Sequence, residues 1–158
     1  MDYIKRTIEL ALNNVEEGGR PFACVIVRDG AIIAESPNRV AQTNDPTAHA
    51  EMLAIRQACV ALGTEHLTDC DIYLLSTPCP MCLGALYYCS PRKVVYLTTR
   101  EEYGTFYRDD RKYFELDTLY EEYGKPIEQR RLPMVRHIDE AAIEVYRRWS
   151  DLQSGNHT

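Results

Sequence analysis

Ile72-Tyr73-Leu74-Leu75, then Ser76-Thr77-Pro78-Cys79-Pro80-Met81-Cys82-Leu83-Gly84-Ala85-Leu86-Tyr87-Tyr88-Cys89, then Val94-Val95-Tyr96-Leu97, is the stretch that decides the fold. Two unbroken apolar runs flank a segment that opens on Thr77-Pro78, carries Met81, Leu83, Ala85, Leu86 and Tyr88, and stops before Ser90-Pro91. Proline is welcome in the first turn of a helix and nowhere later in it, and strands without polar alternation belong to sheets covered on both faces. Strand, helix, strand in that order predicts a parallel crossover with helices on both faces of one sheet.

Working outward, Phe22-Ala23-Cys24-Val25-Ile26-Val27 and Ala31-Ile32-Ile33-Ala34 lie on either side of Asp29-Gly30, which predicts a β-hairpin. Before it, Ile4, Ile8, Ala11, Leu12 and Val15 recur at helical spacing up to Gly18-Gly19, which predicts a helix packed by that stripe. Residues 36–46 read as a polar loop. A helix follows with Thr47 as its N-cap, Leu53, Ala54, Ala58, Ala61 and Leu62 on its apolar side, and Gly63 at its end. The order α-β-β-α-β-α-β through residue 97 predicts an α/β fold, a three-layer α/β/α sandwich with a mixed central sheet. From residue 100 the texture changes to tyrosines among acids and arginines, ending in a predicted helix from Asp139 to Leu152 with Ile143, Tyr146 and Trp149 along one side. No repeat or linker interrupts the chain, so we expect one domain over 1–158: a core of about 1–99 and a C-terminal tail, helical and extended, of about 100–158.

The chain has 158 residues, 18 Lys+Arg against 24 Asp+Glu, and a net charge of −6. That balance gives no general attraction to phosphate backbones or anionic lipids and counts against nucleic acid as a partner. The charged N-terminus Asp2-Tyr3-Ile4-Lys5-Arg6 is no signal peptide, and no apolar run approaches the ~20 residues of a membrane span. A cytoplasmic location is expected, and with it six reduced cysteines rather than disulfides. Cys24, Cys59, Cys70 and Cys89 sit among apolar neighbours and read as small buried side chains.

Cys79 and Cys82 read differently. They form a C-x-x-C clip at a predicted helix start, as His49 does at another. Helix starts present unpaired N–H groups and partial positive charge, which favour the thiolate that binds zinc. Three protein ligands leave a fourth tetrahedral position open, the mark of catalytic rather than structural zinc. Glu51, two residues from His49, can reach a water at such a site without being a ligand and can move its proton. A redox C-x-x-C leaves His49 and Glu51 idle, and a structural site lacks a fourth ligand.

These blocks, Asn44-Asp45-Pro46-Thr47-Ala48-His49-Ala50-Glu51, Ala54-Ile55-Arg56-Gln57-Ala58-Cys59 and Pro78-Cys79-Pro80-Met81-Cys82-Leu83-Gly84-Ala85, resemble the cytidine deaminase-like superfamily of zinc deaminases. Gly19-Arg20-Pro21-Phe22 and Asp29-Gly30 match its first hairpin, and the whole chain is most similar to the small guanine deaminases of bacterial type. The tail segment Phe106-Tyr107-Arg108-Asp109-Asp110 is similar to theirs, not to that of tRNA adenosine deaminases. The resemblance implies a Zn2+ cofactor and a small-molecule heterocyclic base as substrate. It implies a homodimer whose tail closes over the active site, exchanged between subunits in a domain swap. It implies Asp110 as a second proton-shuttling acid beside Glu51, and Asn38, Phe22, Ala50 and Pro78 as substrate contacts. The expected reaction is hydrolytic deamination of a free amino-purine, guanine to xanthine and ammonia.

Three departures lie near the substrate: Thr77 where the family carries an acid, Phe22-Ala23-Cys24 in place of a smaller run, and a longer, tyrosine-rich stretch over 107–125. Other readings therefore stay open: another aminoheterocycle or nucleoside (pterin, triazine, cytosine, adenosine in tRNA), or a zinc-stabilised binding module without turnover.

Overall fold

The computed structural model of the chain describes residues 1–109, 111–113 and 115–155, with the side chains of 116 and 117 left out. Asp110 thus lies outside the described residues. Contacts divide the chain into two compact units, Met1–Tyr120 and Glu121 onward.

The first unit is built on a four-stranded mixed sheet in the order β2-β1-β3-β4. Strands β1 (Ala23–Arg28) and β2 (Ala31–Pro37) are antiparallel, and so are β1 and β3 (Cys70–Ser76). Strand β4 (Lys93–Thr98) runs parallel to β3, as the crossover predicts. Asp29 and Gly30 both take positive φ, 50° and 75°. That is the twist a two-residue hairpin turn requires and the reason for an Asp-Gly pair.

Alternation along the strands sorts the helices onto two faces. Cys24 and Ile26 of β1, Ile72 and Leu74 of β3 and Ala34 of β2 form one buried cluster with Ala50, Ala54 and Ala58 of α3 (Ala50–Leu62) and Leu86 of α4 (Pro80–Cys89). Alanines at every fourth position let α3 lie close to the sheet. Gly63 closes that helix at φ 66°, a left-handed cap that suits glycine. The opposite face carries Val25, Tyr73 and Glu35, which stand side by side in the register. Helix α1 (Tyr3–Glu16) covers it: Tyr3 meets Tyr73 with ring centroids 5.4 Å apart, and Arg6 forks onto Glu35 at 2.9 and 2.5 Å. The result is the expected α/β/α sandwich.

Several expectations change in detail. Helix α1 buries Thr7, Ala11 and Asn14, while Ile4, Ile8, Leu12 and Val15 remain 44–59% exposed. The polar side wins because Asn14 is an inward clamp. Its Nδ2 donates to the carbonyls of Arg20 and Asn38, both at 2.8 Å, and its Oδ1 accepts from Gln42 at 2.9 Å. Gly19 passes so close that a Cβ there would fall 2.5 Å from the Asn14 amide. The loop over 36–46 holds a short helix, α2 (Val40–Thr43). Helix α3 is capped by His49, not Thr47, because Asp45 Oδ1 draws the Thr47 N–H and hydroxyl into a turn of its own (2.9 and 2.7 Å). Strand β4 is an edge strand and only partly buried, with Tyr96 outward.

Two further short helices, α5 (Arg100–Tyr103) and α6 (Leu116–Gly124), follow the sheet. The unit from Glu121 onward contains a 3-10 turn at Ile127–Gln129 and α7 (Ala141–Gly155), longer than the predicted helix by a few residues at its end and later in its start. Glu122 organises its first part, accepting from Lys125 Nζ and from the Arg131 backbone N–H, both at 2.7 Å. Val145, Tyr146 and Trp149 of α7 stand exposed. Among the described residues no helix is long and apolar enough to cross a membrane.

Candidate active site

Two helix starts meet at the end of the sheet. His49 is the N-cap of α3 and Cys79 the N-cap of α4, both with extended backbone, and Pro80 opens α4. Proline fits there because the first N–H of a helix has no partner in any case. Cys82 follows one turn later on the same face. His49 Nδ1 lies 3.5 Å from Cys79 Sγ and 3.4 Å from Cys82 Sγ, and the Cys82 N–H donates to Cys79 Sγ at 3.5 Å. The donor atoms of the three residues fall within 4.8 Å of one another. No other described group of His, Cys, Asp or Glu side chains meets that criterion.

The electrostatics fit a dication with soft ligands. Cys79 is held down to about 4, first by the hydrogen bond from Cys82 and then by His49. Cys82 is pushed upward by Cys79 and by burial, so two thiols this close cannot both ionise unaided. A cation that accepts both thiolates removes that conflict, and a neutral imidazole beside them completes a nitrogen–sulfur set suited to zinc. Burial lowers the His49 pKa, but Cys79 and Glu51 outweigh it and leave it raised.

Glu51 sits in the first turn of α3, buried, and lines the same cavity as His49 and Cys79. Burial raises its pKa, and the Cys79 charge adds to that. The cavity measures about 880 Å³. Asn38 lines it at the end of β2, buried, with its backbone tied to Phe22 O at 2.9 Å and to Asn14. Its Oδ1 accepts from the Val40 N–H at 3.0 Å, which leaves the amide NH2 as the group to offer a ligand. Phe22 lines the cavity too.

The remaining predicted contacts are placed differently. Ala50 is fully buried behind His49, Pro78 is partly exposed ahead of Cys79, and neither is among the described residues lining the cavity. Asp109 reaches the lining and is bonded to Arg111 at 2.6 Å. Of the backbone N–H groups at the start of α4, that of Cys82 is engaged by Cys79 and Pro80 has none.

The sequence alone shows the crowding of tyrosines after residue 100 without a task for any of them. Tyr103 and Tyr107 line the cavity, and their rings stand edge-on to Phe22 with centroids 5.4 and 5.0 Å away. Spacing of four across the end of α5 was the available signal.

Residues 1–98 match the family described as the cytidine and deoxycytidylate deaminase zinc-binding region, and the chain belongs to that family. It is a zinc-dependent hydrolytic deaminase, with the His49, Cys79 and Cys82 group arranged to hold the metal. Among particular relatives, the chain is 42% identical to the guanine deaminase of Bacillus subtilis (strain 168) over 148 residues, 93% of this chain and 91% of that one. The X-ray structure of guanine deaminase from Bacillus subtilis superposes with a TM-score of 0.84 at 40% identity, covering 96% of this chain and 95% of that one. A tRNA-specific adenosine deaminase of Aquifex aeolicus (strain VF5) is 38% identical over 102 residues, 65% of this chain and 68% of its own.

Proposed function

We propose that this deaminase acts on free guanine, with water as co-substrate and xanthine and ammonia as products. The observation that carries the reading is the reach of the similarity. Likeness to the guanine deaminase runs through 93% of the chain, tail included, whereas likeness to the Aquifex tRNA-specific enzyme covers 65%. The net charge of −6 supports an uncharged base over a polyanionic RNA.

His49, Cys79 and Cys82 would hold the zinc, whose chemistry there would be to lower the pKa of a water toward ~7. Glu51 takes one proton from the attacking water and delivers it to the ring nitrogen, then carries the proton of the hydroxyl left on carbon to the amino group, so that the C–N bond breaks, the carbonyl forms and ammonia leaves neutral. Its buried position suits that task, because burial raises its pKa and makes the carboxylate readier to take up a proton than an exposed one. The Asn38 amide donates to an acceptor on the purine edge, and the rings of Phe22, Tyr103 and Tyr107 face the planar base. Ala50 and Pro78 stand next to His49 and Cys79 in sequence, outside the described lining of the cavity.

The direct test is ammonia release, with guanine first and then adenine, cytosine, pterins, triazines, nucleosides and adenosine-bearing tRNA. Guanine is expected to be turned over fastest. Faster turnover of any other substrate rejects the base assignment, and no release from any of them rejects the enzyme.

The tail completes the reading. We assign Asp110 as a second acid passing protons to and from Glu51's side of the substrate, and the chain as a single functional domain whose tail, from about residue 100, closes an active site. The protein works as a cytoplasmic homodimer in which the tails are exchanged. Mixing subunits carrying Glu51→Gln with subunits carrying Asp110→Ala separates exchange from closure within one chain. With exchanged tails and random pairing, about a quarter of the sites regain both acids, and activity returns to that fraction. Activity that stays at the level of the two separate variants rules out the exchange.

A further inference from the structure

The catalytic cavity adjoins a second cavity of about 480 Å³, and Tyr107, Arg108, Asp109 and Arg111 line both. Arg20 completes the second one from the loop before β1. Its charge runs against that of the chain: three guanidiniums and one carboxylate line it, in a protein of net −6. Asp109 neutralises Arg111 through their 2.6 Å bond. Arg20 and Arg108 have no acidic partner among the described residues, and Arg20 Nη1 is buried without any hydrogen-bond partner.

Arg20 is also fixed in place. Its carbonyl accepts from Asn14 Nδ2 at 2.8 Å and from the Phe22 N–H at 2.9 Å, so the side chain springs from an anchored point. A cation removed from water calls for a counter-charge, and a planar guanidinium fork matches the oxygens of an oxyanion. Among the described residues the half-buried Arg20 and the exposed Arg108 have no acidic partner, and two such guanidiniums balance a dianion, which favours phosphate over a carboxylate.

We propose that the cavity lined by Arg20, Arg108 and Arg111 is a binding site for an oxyanion of the phosphate class, set against the catalytic cavity. The inference rests on the deaminase reading only in calling the neighbouring cavity catalytic. The oxyanion has two possible sources, free inorganic phosphate and the phosphate of a purine mononucleotide that spans both cavities.

Calorimetric titration of the full-length, zinc-loaded protein with inorganic phosphate at low ionic strength tests the site. Saturable binding is expected, weakened at least about tenfold in Arg20→Gln and in Arg108→Gln and less in Arg20→Lys. Unchanged zinc content and circular dichroism establish that the variants fold. In phosphate-free buffer Arg20→Gln is expected to keep kcat/KM for guanine within about twofold. Guanosine monophosphate that displaces both phosphate and guanine identifies the nucleotide as the source, and displacement of phosphate alone identifies the free ion. Absence of saturable binding, or equal affinity in wild type and both glutamine variants, overturns the proposal. Phosphate binding by a protein that releases ammonia from no base would refute the deaminase reading and leave this site standing.

Discussion

Glu51→Gln is expected to lower kcat by about 10²–10⁴-fold, the range typical of a positioned general acid–base group. The argument is chemical rather than steric. Glutamine fills the same buried volume in the first turn of α3, so the cavity and the helix start survive. What disappears is the oxygen that can accept a proton and hand it on. Zinc content should match wild type, because the ligand cluster comprises His49, Cys79 and Cys82 and not Glu51. Metal analysis beside steady-state kinetics checks both halves. Turnover within about tenfold of wild type would remove Glu51 from proton transfer, and loss of zinc would make it a ligand.

Loss of the metal is the other large effect. Cys82→Ser leaves α4 with an alcohol that does not ionise near neutrality, so the thiolate pair becomes a single thiolate. Direct ligands matter more than their outer partners, whose loss already costs about 10–100-fold in affinity, so a drop beyond 100-fold is expected. The fold should register the change. A ligand present at about a thousand times its Kd stabilises the native state by ~4 kcal/mol, which for a chain of this size is ~10 °C in Tm. Treating the wild type with a strong chelator should therefore lower Tm by about that amount and abolish ammonia release, and added zinc should restore both. A chelated protein shown by metal analysis to be zinc-free, yet equally active and equally stable, would end the metal-dependent account.

The ligand set was legible because its parts are local. His49 and Glu51 lie two residues apart, Cys79 and Cys82 three apart, and a proline marks the helix start there, although Pro80 and not the expected Pro78 opens α4. Each half states its own geometry, and the crossover from β3 through α4 to β4 brings the halves together. The reading failed where a distant partner decided the outcome. The helical spacing of Ile4, Ile8, Leu12 and Val15 is correct, yet the inward side is chosen by Asn14, whose partners lie at Arg20, Asn38 and Gln42. Thr47 has the chemistry of an N-cap, but Asp45 claims it first. Tyr103 and Tyr107 acquire a role only when α5 sets them against Phe22, some eighty residues earlier in sequence.

The Asn14 clamp bears on how such a sequence can drift. One amide holds the carbonyl of Asn38, which lines the catalytic cavity, the carbonyl of the arginine beside the second cavity, and the side chain of Gln42. Gly19 has no room for a Cβ beside the same amide. Positions 14, 19 and 42 are therefore not free to change singly, although none of them touches the chemistry. An isolated hydrophobic replacement at 14 would strand the buried Asn38 carbonyl and slacken Asn38 at once. Mutational paths that alter substrate choice through Asn38 must either leave this trio alone or move it together.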